Sequence, residues 1–194
     1  MTFDERYRTG RPPWDIGRPQ PEVVRLLDEG RILPPLIDIG CGTGESALAA
    51  AARGIEAVGV DAAPTAIERA QAKASARGLP VRFEVADALH LETLGRTFAT
   101  ALDVGLFHVF DDAERVEYTK SLAGVLRPGG HAYVLCFSDA EPDWGGPRRV
   151  RGEEIPGAFE KFFEILDVQR AKFDTVRAEG AAEAWRISLR RRPS

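Results

Sequence analysis

The feature that most restricts this chain is the run Leu36-Ile37-Asp38-Ile39-Gly40-Cys41-Gly42-Thr43-Gly44, followed at once by an alanine-rich stretch from Glu45 to Arg53. A short apolar segment, a glycine-rich turn and a helix-forming stretch, in that order, read as one βα unit. Its turn lets backbone approach a ligand closely. Gly54 closes the helix, and the alternation continues. Glu56 to Val60 reads as a second strand ending at Asp61. Pro64 opens a helix with Ile67, Ala70 and Ala74 on one face, stopped by Gly78. Val81 to Val85 reads as a third strand with Asp87 just past it, and Phe98 to Val104 as a fourth. Asp112 to Leu126 reads as an amphipathic helix ended by Arg127-Pro128-Gly129-Gly130, and His131 to Phe137 as a fifth strand. The tail reads as a helix from Ala158 to Leu166, then strands Gln169 to Arg177 and Glu183 to Leu189, an antiparallel hairpin around Gly180. Repeated βα units with short connections imply an α/β fold with a parallel sheet and helices on both faces.

A chain of 194 residues suits one domain, here residues 1–194. Its net charge of −4 argues against a nucleic-acid partner, which would need a phosphate-neutralising surface. Arg186, Arg190, Arg191 and Arg192 near the end read as a solvated terminus. Cys41 and Cys136 form no CxxC pair, and three histidines make no zinc-ligand set, so no metal is expected. Both thiols read as reduced and buried. No signal pattern and no apolar run of about 20 residues is present, which points to a cytoplasmic protein with no membrane partner.

The first 21 residues stand apart. Between Arg11 and Pro21 lie Pro12, Pro13, Gly17 and Pro19 with Trp14 among them, which reads as ordered loop. Tyr7, Trp14 and Ile16 argue against a disordered leader, so the segment is expected to lie over the domain as an arm or lid. A short helix from Pro21 to Glu29 follows.

Ligands of such sheets bind at the carboxyl ends of the strands. The glycine loop, Asp61, Asp87 and Asp103 all fall at or beside those ends. A dinucleotide fingerprint would need glycine where Glu45 stands, and no phosphate-loop lysine is present. Asp38 and Glu45 flank the loop with carboxylates, which oppose a phosphate and suit a cation. Glu45 is equally a favourable charge at a helix amino end. Asp61, roughly 20 residues past Gly40, sits where an acid accepts from ribose hydroxyls. Asp87 is placed to accept from an adenine amino group, or is a turn residue.

These residues carry a resemblance. Over nearly its whole length the chain resembles the class I S-adenosylmethionine-dependent methyltransferases. The resemblance implies a Rossmann-like three-layer sandwich with a mostly parallel seven-stranded sheet of order 3-2-1-4-5-7-6, strand 7 antiparallel. It implies S-adenosylmethionine as cofactor and S-adenosylhomocysteine as its product. It places Asp38, Gly40, Gly42, Thr43 and Gly44 around the amino-acid end of that cofactor, Asp61 on the ribose and Asp87 beside adenine, with Ala62, Ala88 and Asp103 grouped alongside. Two further stretches, Pro13-Trp14-Asp15-Ile16-Gly17-Arg18-Pro19-Gln20-Pro21 and Gly105-Leu106-Phe107-His108-Val109-Phe110, resemble the thiopurine, thiol and halide methyltransferase branch. In that branch the tryptophan segment packs over the cofactor, which implies the same for Trp14.

A sulfonium methyl is already activated, so the protein's task is chiefly alignment and exclusion of water. Tyr7 and Trp14 are candidate aromatic faces for the cation. His108 is the candidate base or acceptor-orienting group, or else a packed or capping histidine ahead of Asp111 and Asp112. Tyr7, Phe107, His108, Asp139 and Trp144 are the candidate acceptor-site residues. Arg148, Arg149 and Arg151 read as a solvated charge run or a receptor for an anion. The expected acceptor is a small soft or lipophilic nucleophile, most simply a thiol; an aromatic or heterocyclic oxygen or nitrogen is the alternative. The enzyme is expected as a monomer or homodimer. A nicotinamide oxidoreductase and a non-catalytic cofactor-binding module are the competing classes.

Overall fold

The computed structural model describes residues 2–177 and 180–193. The expected strands form one seven-stranded sheet of order β3-β2-β1-β4-β5-β7-β6. They are β1 (Leu36–Ile39), β2 (Ala57–Asp61), β3 (Arg82–Val85), β4 (Phe98–Val104), β5 (Leu126–Phe137), β6 (Phe163–Phe173) and β7 (Ala182–Arg191). β1 pairs in parallel with β2 and β4, and β7 lies antiparallel between β5 and β6. Helices α1 (Phe3–Thr9), α2 (Pro21–Asp28), α3 (Glu45–Ala51), α4 (Pro64–Arg77), α5 (Asp112–Val125) and α6 (Glu154–Phe159) complete the layers.

The sheet buries a different core on each face. On one side Leu91, Tyr118, Leu122 and Phe159 pack on Ile37, Ile39 and Val134. On the other, Val23, Leu26, Leu48, Ile67 and Ala70 pack on Leu36, Leu102 and Tyr133. All four residues of β1 are buried, as suits the centre of a doubly covered parallel sheet. α5 begins in a capping box, Asp111 accepting from the Glu114 amide while the Glu114 side chain accepts from the Asp111 amide.

The loop expected from Arg11 is present up to α2, and ahead of it Phe3–Thr9 is helical, started by a capping box between Thr2 and Glu5. Three expectations are corrected. The predicted helix from Ala158 to Leu166 is instead the end of α6 and the start of β6. β5 begins at Leu126, with Arg127 to Gly130 forming an irregularity between the Phe98–Leu126 and Thr100–His131 pairs. Arg186 is not a solvated terminal residue. It is 8% exposed and joins Asp167 and Gln169 of β6 to Glu22 of α2.

Candidate active site

β1 delivers Asp38 to the carboxyl edge of the sheet, where the carboxylate is 1% exposed and lines a cleft. Its Oδ2 accepts one hydrogen bond, from the Ala47 amide at 3.2 Å. Burial pushes its pKa up to about 7, the Asp61 and Asp103 carboxylates add to the rise, and the Ala47 amide opposes it. No described cation counters the charge. A carboxylate in this position is destabilising until a donor of opposite charge arrives, so the pocket fits an ammonium group.

The loop after β1 is wedged so tightly that only glycine serves at two positions. Gly44 has φ +84°, and a Cβ there would lie 2.6 Å from the Phe83 ring. A Cβ on Gly42 would lie 2.7 Å from the Tyr7 hydroxyl. The Gly42 amide donates to Asp61 Oδ2 and the Ala63 amide to Oδ1, each at 2.8 Å. Asp61 is thereby oriented, and each oxygen keeps a lone pair for a hydroxyl donor. Burial raises its pKa against the pull of those two amides. Asp87 is exposed at the end of β3, its Oδ1 accepting from the Leu89 amide at 2.9 Å and its Oδ2 unused by any described group. Ala62 and Ala88 follow these acids in the chain; Ala62 is exposed and Ala88 half-buried.

Glu45 does not share the role of Asp38. Lys73 reaches it at 2.8 Å and Arg77 at 3.0 Å, so its charge is met inside the protein. Burial would raise its pKa, but Arg77 and Lys73 hold it lower. Lys73 also donates to Thr43 Oγ1 at 2.7 Å, and Thr43 faces Asp15 Oδ2 at 3.2 Å. Asp15, Ile16 and Arg18, part of the stretch from Pro13 to Pro21 but not given as site residues, line the cleft beside Trp14.

The N-terminal segment crosses the cleft and is pinned on both sides. Asp4 accepts from the Thr65 amide at 2.8 Å, supplying α4 with the cap that Ala63 lacks. Arg69 donates to the carbonyls of Tyr7 and Gly10. At the far side Val176 donates to the Pro13 carbonyl at 2.9 Å, and Gln20 exchanges two hydrogen bonds with the Asp174 backbone. Tyr7 is 3% exposed and lies against Gly42 of the glycine loop. Burial, with Asp61 nearby, pushes its hydroxyl pKa well up.

Beyond Trp14 and Val104, Phe173 lines the cleft and packs edge to face on Phe137 at 5.4 Å between ring centroids. His108 stacks on Phe137 at 4.3 Å and lies 6.3 Å from Phe173. Its Nδ1 accepts from the Phe137 amide at 2.9 Å, so the ring proton sits on Nε2. Burial, with Arg115 and Arg149 adding to it, lowers its pKa to about 3. The base role is thereby corrected: neither nitrogen is free to take a proton, and His108 is a neutral donor. Trp144 meets Phe137 edge-on at 5.8 Å, with the Arg149 and Arg177 guanidinium carbons 4.5 and 3.6 Å from its ring centroid.

Three candidates lie elsewhere. Phe107 is fully buried against Phe159 and Tyr118, in the core. Asp103 accepts from Tyr118 Oη at 2.6 Å and from the Leu106 and Phe107 amides. It builds the turn after β4, where it is 1% exposed. Burial raises its pKa to about 6. Asp139 is exposed and pairs with Arg170.

A glycine loop at the switch point of this sheet, a buried acid without a cation and a strand-end acid for hydroxyls define a nucleoside-binding methyltransferase site. Residues 36–130 match the methyltransferase-domain family model. The chain is 38% identical over 180 residues to the 2-heptyl-1-hydroxyquinolin-4(1H)-one methyltransferase of Mycobacteroides abscessus, covering 88% of this chain and 79% of that protein. It is 30% identical to a probable thiol methyltransferase of Arabidopsis thaliana, covering 87% and 77%. It shares 35% identity and a TM-score of 0.90 with a solved structure concerned with converting a disulfide bond into a thioacetal group during echinomycin biosynthesis, covering 98% and 91%. The chain belongs to the class I S-adenosylmethionine-dependent methyltransferase family, with S-adenosylmethionine as its cofactor.

Proposed function

We propose that this enzyme methylates a small lipophilic nucleophile, a thiol or an aromatic or heterocyclic hydroxyl, free in solution rather than within a nucleic acid. The observation that carries this reading is the aromatic wall at the acceptor end: Trp14, Phe137 and Phe173, extended by Trp144 and the neutral ring of His108. Such a wall favours flat, polarisable bodies over a polar macromolecule. The names of the two curated relatives point the same way, one to a hydroxyquinolinone and one to thiols.

The residues that would hold the cofactor are Asp38 for its ammonium group, the Gly40–Gly44 backbone around its amino-acid end, Asp61 for the ribose hydroxyls and Asp87 for adenine, under Trp14. The bound cofactor supplies a methyl group already activated on a sulfonium sulfur. The arm and the aromatic wall then align an acceptor and exclude water.

The test is incubation with S-adenosylmethionine and a mixed panel of thiols, phenols, hydroxylated heterocycles and aza-heterocycles, read by mass spectrometry for products one methylene heavier. Turnover of aromatic hydroxyls or thiols is expected. Tight cofactor binding with no product from the panel, or methylation of RNA or protein alone, overturns the proposal.

A further inference from the structure

The candidate base of this site is filled, and the uncompensated charge beside it is positive. His108 presents an Nε2–H for which no described group is the acceptor, while its Nδ1 is held by the Phe137 amide. On the Phe137 ring lies a second group, Arg149, whose guanidinium carbon is 5.9 Å from that ring and 4.5 Å from the Trp144 ring. Arg149 donates to the carbonyls of Pro142, Gly145 and Pro147, and its buried Nε has no acceptor. No described carboxylate pairs with it. Its neighbours Arg148 and Arg151 both reach Glu154, at 3.0 and 2.7 Å.

The other charged groups around His108 each have a partner. Arg115, from α5, is paired with Glu154 at 3.1 Å, although its buried Nε and Nη2 have no acceptor. Asp103 at the end of β4 accepts from Tyr118 and two amides. Asp139 after β5 pairs with Arg170, and Glu141 accepts from Trp144 Nε1 and the Glu183 amide. A guanidinium without a counter-charge thus sits one ring away from a donor without an acceptor, at the carboxyl edge of the sheet.

We propose that the acceptor binds as an anion, with Arg149 as its counter-charge and the His108 Nε2–H as its hydrogen-bond donor, and that no side chain serves as general base. This rests on the reading given under Proposed function and narrows it to acceptors with an acidic S–H or O–H, such as thiophenols and acidic phenols. The acceptor loses its proton to solvent on or before binding. Its lone pair then forms the bond to the methyl carbon while the carbon–sulfur bond breaks, and that electron pair remains on sulfur as a neutral thioether. A nearby positive charge favours the ionised acceptor, and a neutral donor can hold it without taking its proton.

The experiment is kcat at saturating acceptor, and kcat/KM, against pH for a series of ring-substituted thiophenols and phenols of graded acidity. With the wild-type enzyme each kcat/KM profile should rise at the pKa of its own free acceptor, and each kcat profile at an apparent pKa about one unit lower, that of the bound acceptor. Arg149→Met should return the kcat profile to the free pKa and lower kcat/KM at neutral pH about tenfold. Arg149→Lys should keep most of the shift. His108→Phe should lower kcat/KM about tenfold at all pH values, and His108→Gln, which retains a donor, should recover part of it. Melting curves and S-adenosylhomocysteine titrations report whether each variant is folded. One pH limb common to every acceptor, or a kcat profile unmoved in a folded Arg149→Met, overturns the proposal. The wild-type series decides the absence of a base even if a variant fails to fold. If no aromatic acceptor turns over at all, the proposed function fails, and that result is distinct from turnover on a shared limb.

Discussion

The indole Nε1–H of Trp14 donates to the Tyr7 hydroxyl at 2.9 Å, tying the arm to the N-terminal helix beside the glycine loop. The bond couples two pieces of the N-terminal segment: Tyr7 lies on α1, which is anchored to α4, whereas Trp14 lies on the stretch anchored to the β6–β7 hairpin. Tyr7→Phe removes the acceptor and leaves the ring. A hydrogen bond of this kind contributes about 1 kcal/mol, so S-adenosylhomocysteine should bind roughly fivefold more weakly. Calorimetric titration measures this. An unchanged dissociation constant would mean that the arm closes without the tie.

Asp38 makes the protein's stability depend on pH in an unusual direction. Its folded pKa, about 7, lies above the unfolded value of 3.8, so the native state holds this proton more tightly. The Asp38 contribution is therefore full below pH 3.8 and is lost as pH rises towards 7, by at most about 4 kcal/mol. Asp38→Asn keeps an acceptor for the Ala47 amide and removes the charge. The ligand-free variant should melt above the wild type at pH 7.5 and lose S-adenosylhomocysteine affinity at least tenfold. A variant that melts below the wild type at that pH would show the carboxylate to be stabilised by something other than a ligand.

Glu45 is predicted to behave in the opposite way, although it lies close to Asp38 in the chain. Lys73 and Arg77 hold it ionised, so Glu45→Gln should cost about 1 kcal/mol at neutral pH and change cofactor affinity less than threefold. Its folded pKa lies below 4.5, so this stability is present above pH 4.5 and lost as pH falls through the lowered value. Urea titrations of variant and wild type should converge in acid. A tenfold loss of cofactor affinity would return Glu45 to the binding site.

Much of this was readable from the residues, and the exceptions have physical reasons. The central strands were visible because short apolar runs end in acids at the ligand edge, as at Asp38 and Asp61. The first part of β6 was hidden because Phe159, Phe163 and Leu166 fall at helical spacing. Pairing of Phe163–Phe173 with β7, a contact distant in sequence, decides the matter in favour of strand. α1 carried a signal that went unused, Thr2 and Glu5 at capping-box spacing. The neighbours Phe107 and His108 read alike as site residues, yet the turn after β4 packs Phe107 on Phe159 and Tyr118 and His108 on Phe137. Which arginine in the run Arg148, Arg149, Arg151 lacks a counter-charge depends on where α6 places Glu154, which spacing cannot show.

Arg186 tests whether the edge of the sheet is held by charge as well as by backbone pairing. Its guanidinium meets Asp167 at 3.0 Å and Glu22 at 3.4 Å and also donates to Gln169, joining β7, β6 and α2 where the side chain is 9% exposed. Asp167 and Glu22 keep more contact with solvent, so they can rehydrate when the arginine is removed. The loss should therefore fall below the 3–5 kcal/mol typical of breaking a fully buried pair. We expect about 2 kcal/mol for Arg186→Ala, and less for Arg186→Met, which preserves packing against the sheet. Cofactor affinity should be unchanged in both, because α2 and the β6–β7 edge reach the cleft only through Gln20 and Phe173. Chemical denaturation with a parallel calorimetric titration separates the two effects. A loss under 0.5 kcal/mol for the alanine variant would reduce this network to ordinary surface charge.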